Sequence, residues 1–491
     1  MSTNFTDRER ILGCWLGKSI GGTLGGPYEG SAGMHALTFY NPVPTRMLPN
    51  DDLDLQVLWA CKLATDWHGV VSLKNFGEAW LNNVEFPWDE YGVAIRNLRL
   101  GIPAPYSGIY DNAFTDGEGA AIRSELWAVL APRNPALAAK MARMDGCVDH
   151  DGPGIDAICF LAALESEAFS GNTDIKALIN VALKYIPADG KLAGAINFAL
   201  KTVEALGAAA TPKVLWEEIM TRYATSNFTD VCMNTAFEVV ALLLGEGDFE
   251  KTICTAVNFA QDADCTGATT GSIMGIINPA GIPERWLAPI GQNMVISKEI
   301  TGINPPADLT GFTDMILELR NKITIDDTIP PKPDMTQFEI PAERSFFAPW
   351  YAADLENYYP KFDEEHKDLV KLPGNLFTVD FKDVPDNTLV FYRVKFNLEK
   401  EQEVHIVVNT TAHSRVWIDG EFAFGRDGGE MLPAFHRSQF NQIARPTLKA
   451  GQHTLTFGLA PYGWNREKER DQVFFGVGCK DNQWLATAFR E

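Results

Sequence analysis

Gln261-Asp262-Ala263-Asp264-Cys265-Thr266-Gly267-Ala268 runs directly into Thr269-Thr270-Gly271-Ser272-Ile273-Met274-Gly275. Small and apolar side chains fill the second half, the composition of a helix packed closely against its neighbours. Two alternating carboxylates at the head of such a helix are costly unless they are paired or bound to a cation. The stretch therefore predicts a buried helix whose acidic end has a function, inside a domain built of helices.

The same texture extends outward. Arg10 to Ile20 reads as a helix, followed by Gly21-Gly22-Thr23-Leu24-Gly25-Gly26-Pro27-Tyr28-Glu29-Gly30, either a helix end with a turn or a glycine-rich loop carrying a functional carboxylate. Asn50-Asp51-Asp52-Leu53-Asp54 opens another helix, with apolar residues at Leu55, Leu58 and Leu63. Its crowded carboxylates suit an exposed helix start, or a hard cation such as Mg²⁺ or Ca²⁺. Asp149-His150-Asp151-Gly152 precedes a helix from Ile155 and is either a surface turn or a ligand and acid/base group. Further helices are expected at 155–169, 175–185, 191–206, 214–223, 235–244 and 312–323. The acidic pairs at 51–52 and 262–264 lie about 210 residues apart and can cooperate only if a helical bundle brings them together.

Beyond residue 325 the pattern changes. Pro330, Pro331, Pro333 and Pro341 mark a linker over 326–345. Strand-like runs follow at 389–396, 404–408, 416–418, 421–424, 454–459, 473–478 and 484–488, with Asp419-Gly420 as a hairpin turn. The expected organisation is an all-α domain over 1–325 whose acidic helix ends suit a metal ion, the linker, and an antiparallel β-sandwich over 346–491.

Composition narrows the function. The 491 residues exceed the usual limit for one hydrophobic core. A net charge of −22 argues against nucleic acid and anionic membrane as partners. No apolar run approaches the about 20 residues of a membrane helix, and the polar start does not read as a signal peptide. The eight cysteines, without a CxxC pair, are expected to be reduced thiols in the cytoplasm. Cys147 lies near His150 but lacks a recognisable oxyanion hole, which disfavours a cysteine hydrolase.

Taken in order, these segments resemble the ADP-ribosylglycohydrolase family, which includes the dinitrogenase-reductase-activating glycohydrolases. Arg10 to Glu29 is similar to the family's first helix and G-x-P-x-E turn, and Asn50-Asp51-Asp52 to its T-D-D motif. Gly117-Glu118-Gly119-Ala120-Ala121-Ile122-Arg123 is similar to G-x-G-A-x-x-R, and Asp149-His150 to the segment with the central His. Asp262-Ala263-Asp264-Cys265 resembles D-T-D-T, and Gly281-Ile282-Pro283-Glu284-Arg285-Trp286 the closing I-P-x-x-W. The resemblance implies an all-α fold with one or two divalent ions, Mg²⁺ foremost and Mn²⁺ or Ca²⁺ as alternatives. It implies Asp51, Asp52, Asp262 and Asp264 as metal ligands, with Asn50 and Thr266 as further oxygen donors. Glu29, Asp51 and Asp262 become the catalytic carboxylates, and Tyr28, Arg123, Asp149 and His150 the substrate contacts. The implied reaction is hydrolysis at C1 of a ribofuranosyl group.

The chain also departs from that pattern. Asn50, Ala263 and Cys265 stand where the family has Thr, and Gly22 where it often has Asp. A thiol is a poor partner for Mg²⁺. The β-domain resembles galactose-binding-like or PA14-like sandwiches through Val416-Trp417-Ile418-Asp419-Gly420, Phe424 to Gly429 and Gly451 to Leu455, with Pro461-Tyr462-Gly463-Trp464 as a candidate sugar-stacking loop. Three readings result: hydrolysis of an ADP-ribosyl or related ribofuranoside, hydrolysis of a furanose-containing carbohydrate, or binding of a sugar or nucleotide without turnover. The expected partner is a small glycoside or oligosaccharide.

Overall fold

The computed structural model describes residues 5–347, 362, 364–385, 388–461 and 470–490. The chain divides into two compact units. The first holds residues 1–86, 103–108 and 114–330, and the second holds 87–102, 109–113 and 331–491.

The first unit is helical. Its centre is a pair of helices, Asp7–Gly25 and Ala263–Ile277, packed antiparallel with backbone against backbone. A Cβ added at Gly13, Gly17 or Gly21 would lie 2.3, 2.0 or 1.9 Å from the carbonyl oxygen of Gly275, Gly271 or Gly267. At Gly25 it would lie 2.2 Å from the Ala263 oxygen. Real side chains cannot approach so closely, so glycine at every fourth position lets the two axes come together. The helix expected to end near Ile20 therefore continues to Gly25, because Gly21 and Gly25 belong to this contact face. The antiparallel arrangement sets the end of the first helix, and the Glu29 turn after it, beside Asp262 and Asp264.

Other helices follow the predicted periodicity, with boundaries shifted by a few residues: Pro153–Ala168, Ile175–Ala182, Lys191–Leu206, Pro212–Tyr223, Val231–Gly245 and Leu309–Leu319. A short parallel pair, Val70–Ser72 with Thr324–Asp326, completes the unit. Among the described residues, no helix is long and apolar enough to cross a membrane. All eight cysteines are free thiols, and six are buried.

The second unit is an antiparallel sandwich. One sheet runs Lys367–Leu372, Ile340–Phe347, Leu389–Leu398, Gly451–Ala460, His413–Ile418, Glu421–Asp427. The other runs Ile443–Ala444, Gln402–Thr410, Arg470–Cys479, Leu376–Asp380, with Thr447–Leu448 also on Gln402–Thr410. Val394, Phe396, Leu455 and Phe457 from the first sheet meet Ile406, Val408, Val473 and Phe475 from the second in one core. Asp419 and Gly420 both take positive φ, 51° and 88°, as a tight hairpin turn requires.

The 484–488 run is not a strand. Only Trp484 forms a bridge, to Gly478, and the chain then turns. Trp484 is buried against Phe435 and Phe474, so its apolar character reflects packing rather than a ladder. The helix Asp89–Arg99 belongs to this unit, with Val93 in a cluster with Val407, Phe435, Ile443, Phe474 and Trp484. Tyr462 and Trp464 of the proposed stacking loop lie outside the described residues.

Candidate metal centre

Three elements converge on the acidic site. The Ala263–Ile277 helix starts at Asp262, its N-cap residue, and carries Asp264 in its first turn. The Asp51–Ala64 helix starts at Asn50, whose side chain accepts a hydrogen bond from the Asp52 amide at 3.0 Å. The turn after the first helix brings Glu29. An isolated antiparallel bridge between Ser31 and Gln261 fixes that turn, with Gly30 N donating to Gln261 O at 2.8 Å. Two helix N-termini thus present their positive ends to the same carboxylates.

Two trios result. Ligand atoms of Glu29, Asp262 and Asp264 lie within 4.8 Å of one another, and so do those of Asp52, Asp264 and Cys265. Glu29 is exposed, whereas Asp52, Asp262, Asp264 and Cys265 are buried. One oxygen each of Asp262 and Asp264 is buried without a hydrogen-bond partner among the described residues. Burial, then the charge of Glu29, pushes both carboxyls well above the ordinary range. Burial likewise raises Asp52 to about 7 against the pull of Lys18. Desolvated carboxylates with unused oxygens form a donor set for a hard divalent cation.

The remaining predicted residues are placed differently. Asp51 is part-exposed and belongs to neither trio; its charge acts on Asp52, Asp54 and Asp264. The Asn50 carbonyl is used as a helix cap. The Thr266 hydroxyl is fully buried and donates to Ala263 O at 3.4 Å. Tyr28 lies beside Glu29, its hydroxyl donating to the Asn41 carbonyl and its ring packed against His35.

Arg123, Asp149 and His150 form a second, fully buried cluster. The Arg123 guanidinium grips Asp149 with two 2.9 Å bonds, contacts Asp145 at 3.1 Å and donates to Gly119 O. Burial opposes the charge on Asp149, but Arg123 and His150 outweigh it and hold that carboxyl at about 2. His150 Nδ1 lies 3.1 Å from Asp149, and its Nε2 accepts from the Ala120 amide at 3.3 Å.

Several buried groups escaped the sequence reading. The Lys18 ammonium sits 2.8 Å from Glu125 and 3.3 Å from Asp52. Glu125 also accepts from Ser272 and Gln56, both at 2.9 Å. Glu118, Glu165 and Glu238 are buried nearby in the acidic network, and burial pushes each well above the carboxylate range. Lys18 lies on the Asp7–Gly25 helix together with Arg8 and Arg10, so its charge alone did not single it out in the sequence.

The family model described as ADP-ribosylglycohydrolase matches residues 3–321. The chain belongs to the ADP-ribosylglycohydrolase family. Membership supports a glycohydrolase-type function, and it accounts for the helical unit with its converging acidic turns. Among solved structures, an ADP-ribosylglycohydrolase-related protein complex is 20% identical, over 65% of this chain and 99% of the other, with a TM-score of 0.45. A β-glucosidase from Kluyveromyces marxianus in complex with glucose is 9% identical over 28% of this chain and 17% of its own, with a TM-score of 0.20. An anti-sigma factor domain-containing protein from Clostridium clariflavum is 13% identical over 28% and 40%, with a TM-score of 0.17. No curated protein matches the chain.

Proposed function

We propose that this ADP-ribosylglycohydrolase-family protein hydrolyses the bond at C1 of a furanosyl group, with a divalent ion, Mg²⁺ foremost, held by Glu29, Asp262 and Asp264. The observation that carries the reading is that Asp262 and Asp264, each with one buried, unpartnered oxygen, have ligand atoms within 4.8 Å of each other and of the exposed Glu29 carboxylate. Such an ion supplies Lewis acidity toward a sugar's vicinal hydroxyls and a water. Glu29, the accessible member, accepts the proton that water loses. Asp51, charged and part-exposed at the helix start, adds negative potential that favours a cation. Tyr28, anchored on Asn41 and His35, offers an edge for the sugar.

A second reading concerns the substrate. An ADP-ribosyl group needs positive charge for its pyrophosphate. Arg123, the cation among the segments matched for substrate contact, is fully buried and committed to Asp145 and Asp149. This favours an uncharged furanoside or furanose-containing oligosaccharide, in keeping with an appended sandwich that resembles carbohydrate-binding modules.

The test is incubation with Mg²⁺, Mn²⁺ or Ca²⁺, then with chelator, against ADP-ribosyl compounds and nitrophenyl furanosides. The expected result is chelator-sensitive furanoside release, reduced about 100-fold or more by Asp262→Asn. Turnover that persists after metal is stripped would overturn the metal-dependent reading. Cleavage of ADP-ribosyl compounds alone would overturn the preference for uncharged substrates.

A further inference from the structure

The two acidic trios share Asp264 but differ in chemistry. Glu29, Asp262 and Asp264 offer oxygen only, with buried oxygens of Asp262 and Asp264 unclaimed. In the other trio, both oxygens of Asp52 are engaged. Oδ1 faces the Lys18 ammonium at 3.3 Å, and Oδ2 faces the Cys265 thiol at 3.7 Å. Lys18 is itself fixed, with only 1% of its side chain exposed and a 2.8 Å contact to Glu125. Glu125 is held in turn by Ser272 and Gln56. A rigid, fully buried ammonium next to a carboxylate does the neutralising work that a cation would otherwise do, and a thiol is a weak donor to a hard ion.

We propose that the centre takes one divalent ion, on the Glu29–Asp262–Asp264 side, and that Lys18 together with Cys265 closes the Asp52 side to a second. Lys18 is thus a positioning residue that sets metal stoichiometry. The inference rests on the metal-dependent reading above and separates from it in the experiment.

Mn²⁺ binding to the full chain is measured by equilibrium dialysis and electron paramagnetic resonance. The expected result is one Mn²⁺ per chain with the six-line spectrum of an isolated ion. Combining Lys18→Met, Glu125→Gln and Cys265→Thr removes the ammonium with its counter-charge and supplies a hydroxyl. That variant is expected to bind two Mn²⁺ with an exchange-broadened spectrum. Two coupled Mn²⁺ in the unaltered protein would overturn the inference alone, whereas none would overturn the metal reading with it. A variant with unaltered circular dichroism that still binds one ion would overturn the role given to Lys18 and Cys265. If the variant fails to fold, the stoichiometry of the unaltered protein still decides.

Discussion

Gly22 and Asn50 show how single departures from a family pattern fit one another. A Cβ at position 22 would stand 2.6 Å from the Asn50 side-chain nitrogen. Asn is larger than the family's Thr, and the missing side chain at 22 gives it room while its carbonyl caps the helix. Asp230 yields a prediction at the same scale. It caps the Val231–Gly245 helix through the Met233 amide at 3.0 Å. Burial, only partly offset by that bond, raises its carboxyl to about 6. The folded chain then holds a proton between about pH 4 and 6 that the unfolded chain has released, so stability falls as pH rises through that window. Asp230→Asn keeps a good cap and removes the titration. It should stabilise the protein at pH 8 by about 1 kcal/mol after allowance for solvent screening, with little gain at pH 4. Urea unfolding at the two pH values checks this, and equal gains would contradict it. The Asp-x-Asp pair was legible because carboxylates stood out against Ala, Gly and Thr. Lys18 and Glu125 were not, because each becomes informative only once the fold sets them face to face.

At the scale of elements, the contact between the Asp7–Gly25 and Ala263–Ile277 helices governs the site. The glycines at 13, 17, 21 and 25 oppose 275, 271, 267 and residue 263 in antiparallel register, so a displacement of either helix moves Glu29 away from Asp262 and Asp264. Gly17→Ala would drive a methyl group to 2.0 Å from the Gly271 carbonyl oxygen. Backbone on both sides cannot yield, so the expected cost is about 3 kcal/mol or more, even though Ala is the better helix former. Mn²⁺ affinity should fall with it, because Glu29 follows the first helix while Asp262 and Asp264 lie at the start of the second. Thermal unfolding and metal titration measure the two effects, and an alanine variant that is as stable as the parent would refute the close contact. The four-residue glycine spacing was present in the sequence. It remained unread because glycine usually signals the end of a helix, and only the partner helix shows these positions to be a packing face. The β-strands were easier to read, since alternation and an Asp-Gly turn are local properties. Trp484 to Ala488 misled because a buried aromatic in a turn carries the same apolar signature as one in a strand.

Across the whole molecule, chain order and compact units do not coincide. The linker expected over 326–345 separates helix-like from strand-like sequence, yet the sandwich strand Ile340–Phe347 already begins inside it, Pro341 included, and residues 87–102 and 109–113 belong to the sandwich unit as well. The helix Asp89–Arg99 makes up most of the first of these stretches, and an amphipathic helix carries no local mark of the unit it packs in. Within the sandwich unit, Val93 joins Val407, Phe474 and Trp484, and Arg96 lies 5.1 Å over the Trp484 ring. Asp111 accepts from the amides of Asn375 and Leu376 and pairs with Arg96 at 3.5 Å. A chain ended at Pro330 would therefore keep the acidic centre but leave Val93 and the Arg96–Asp111 pair without these partners. Uncovering a buried apolar side chain costs about 1.5–3 kcal/mol, and an ion pair stripped of its neighbours loses the bonds that offset its burial. Such a truncated chain should unfold at a lower temperature than the full protein and bind a hydrophobic dye. Substituting Val93→Ser and Arg96→Ser within it should reduce the dye signal. A truncated chain that melts with the full-length protein and binds no dye would show that the inserted helix needs no sandwich.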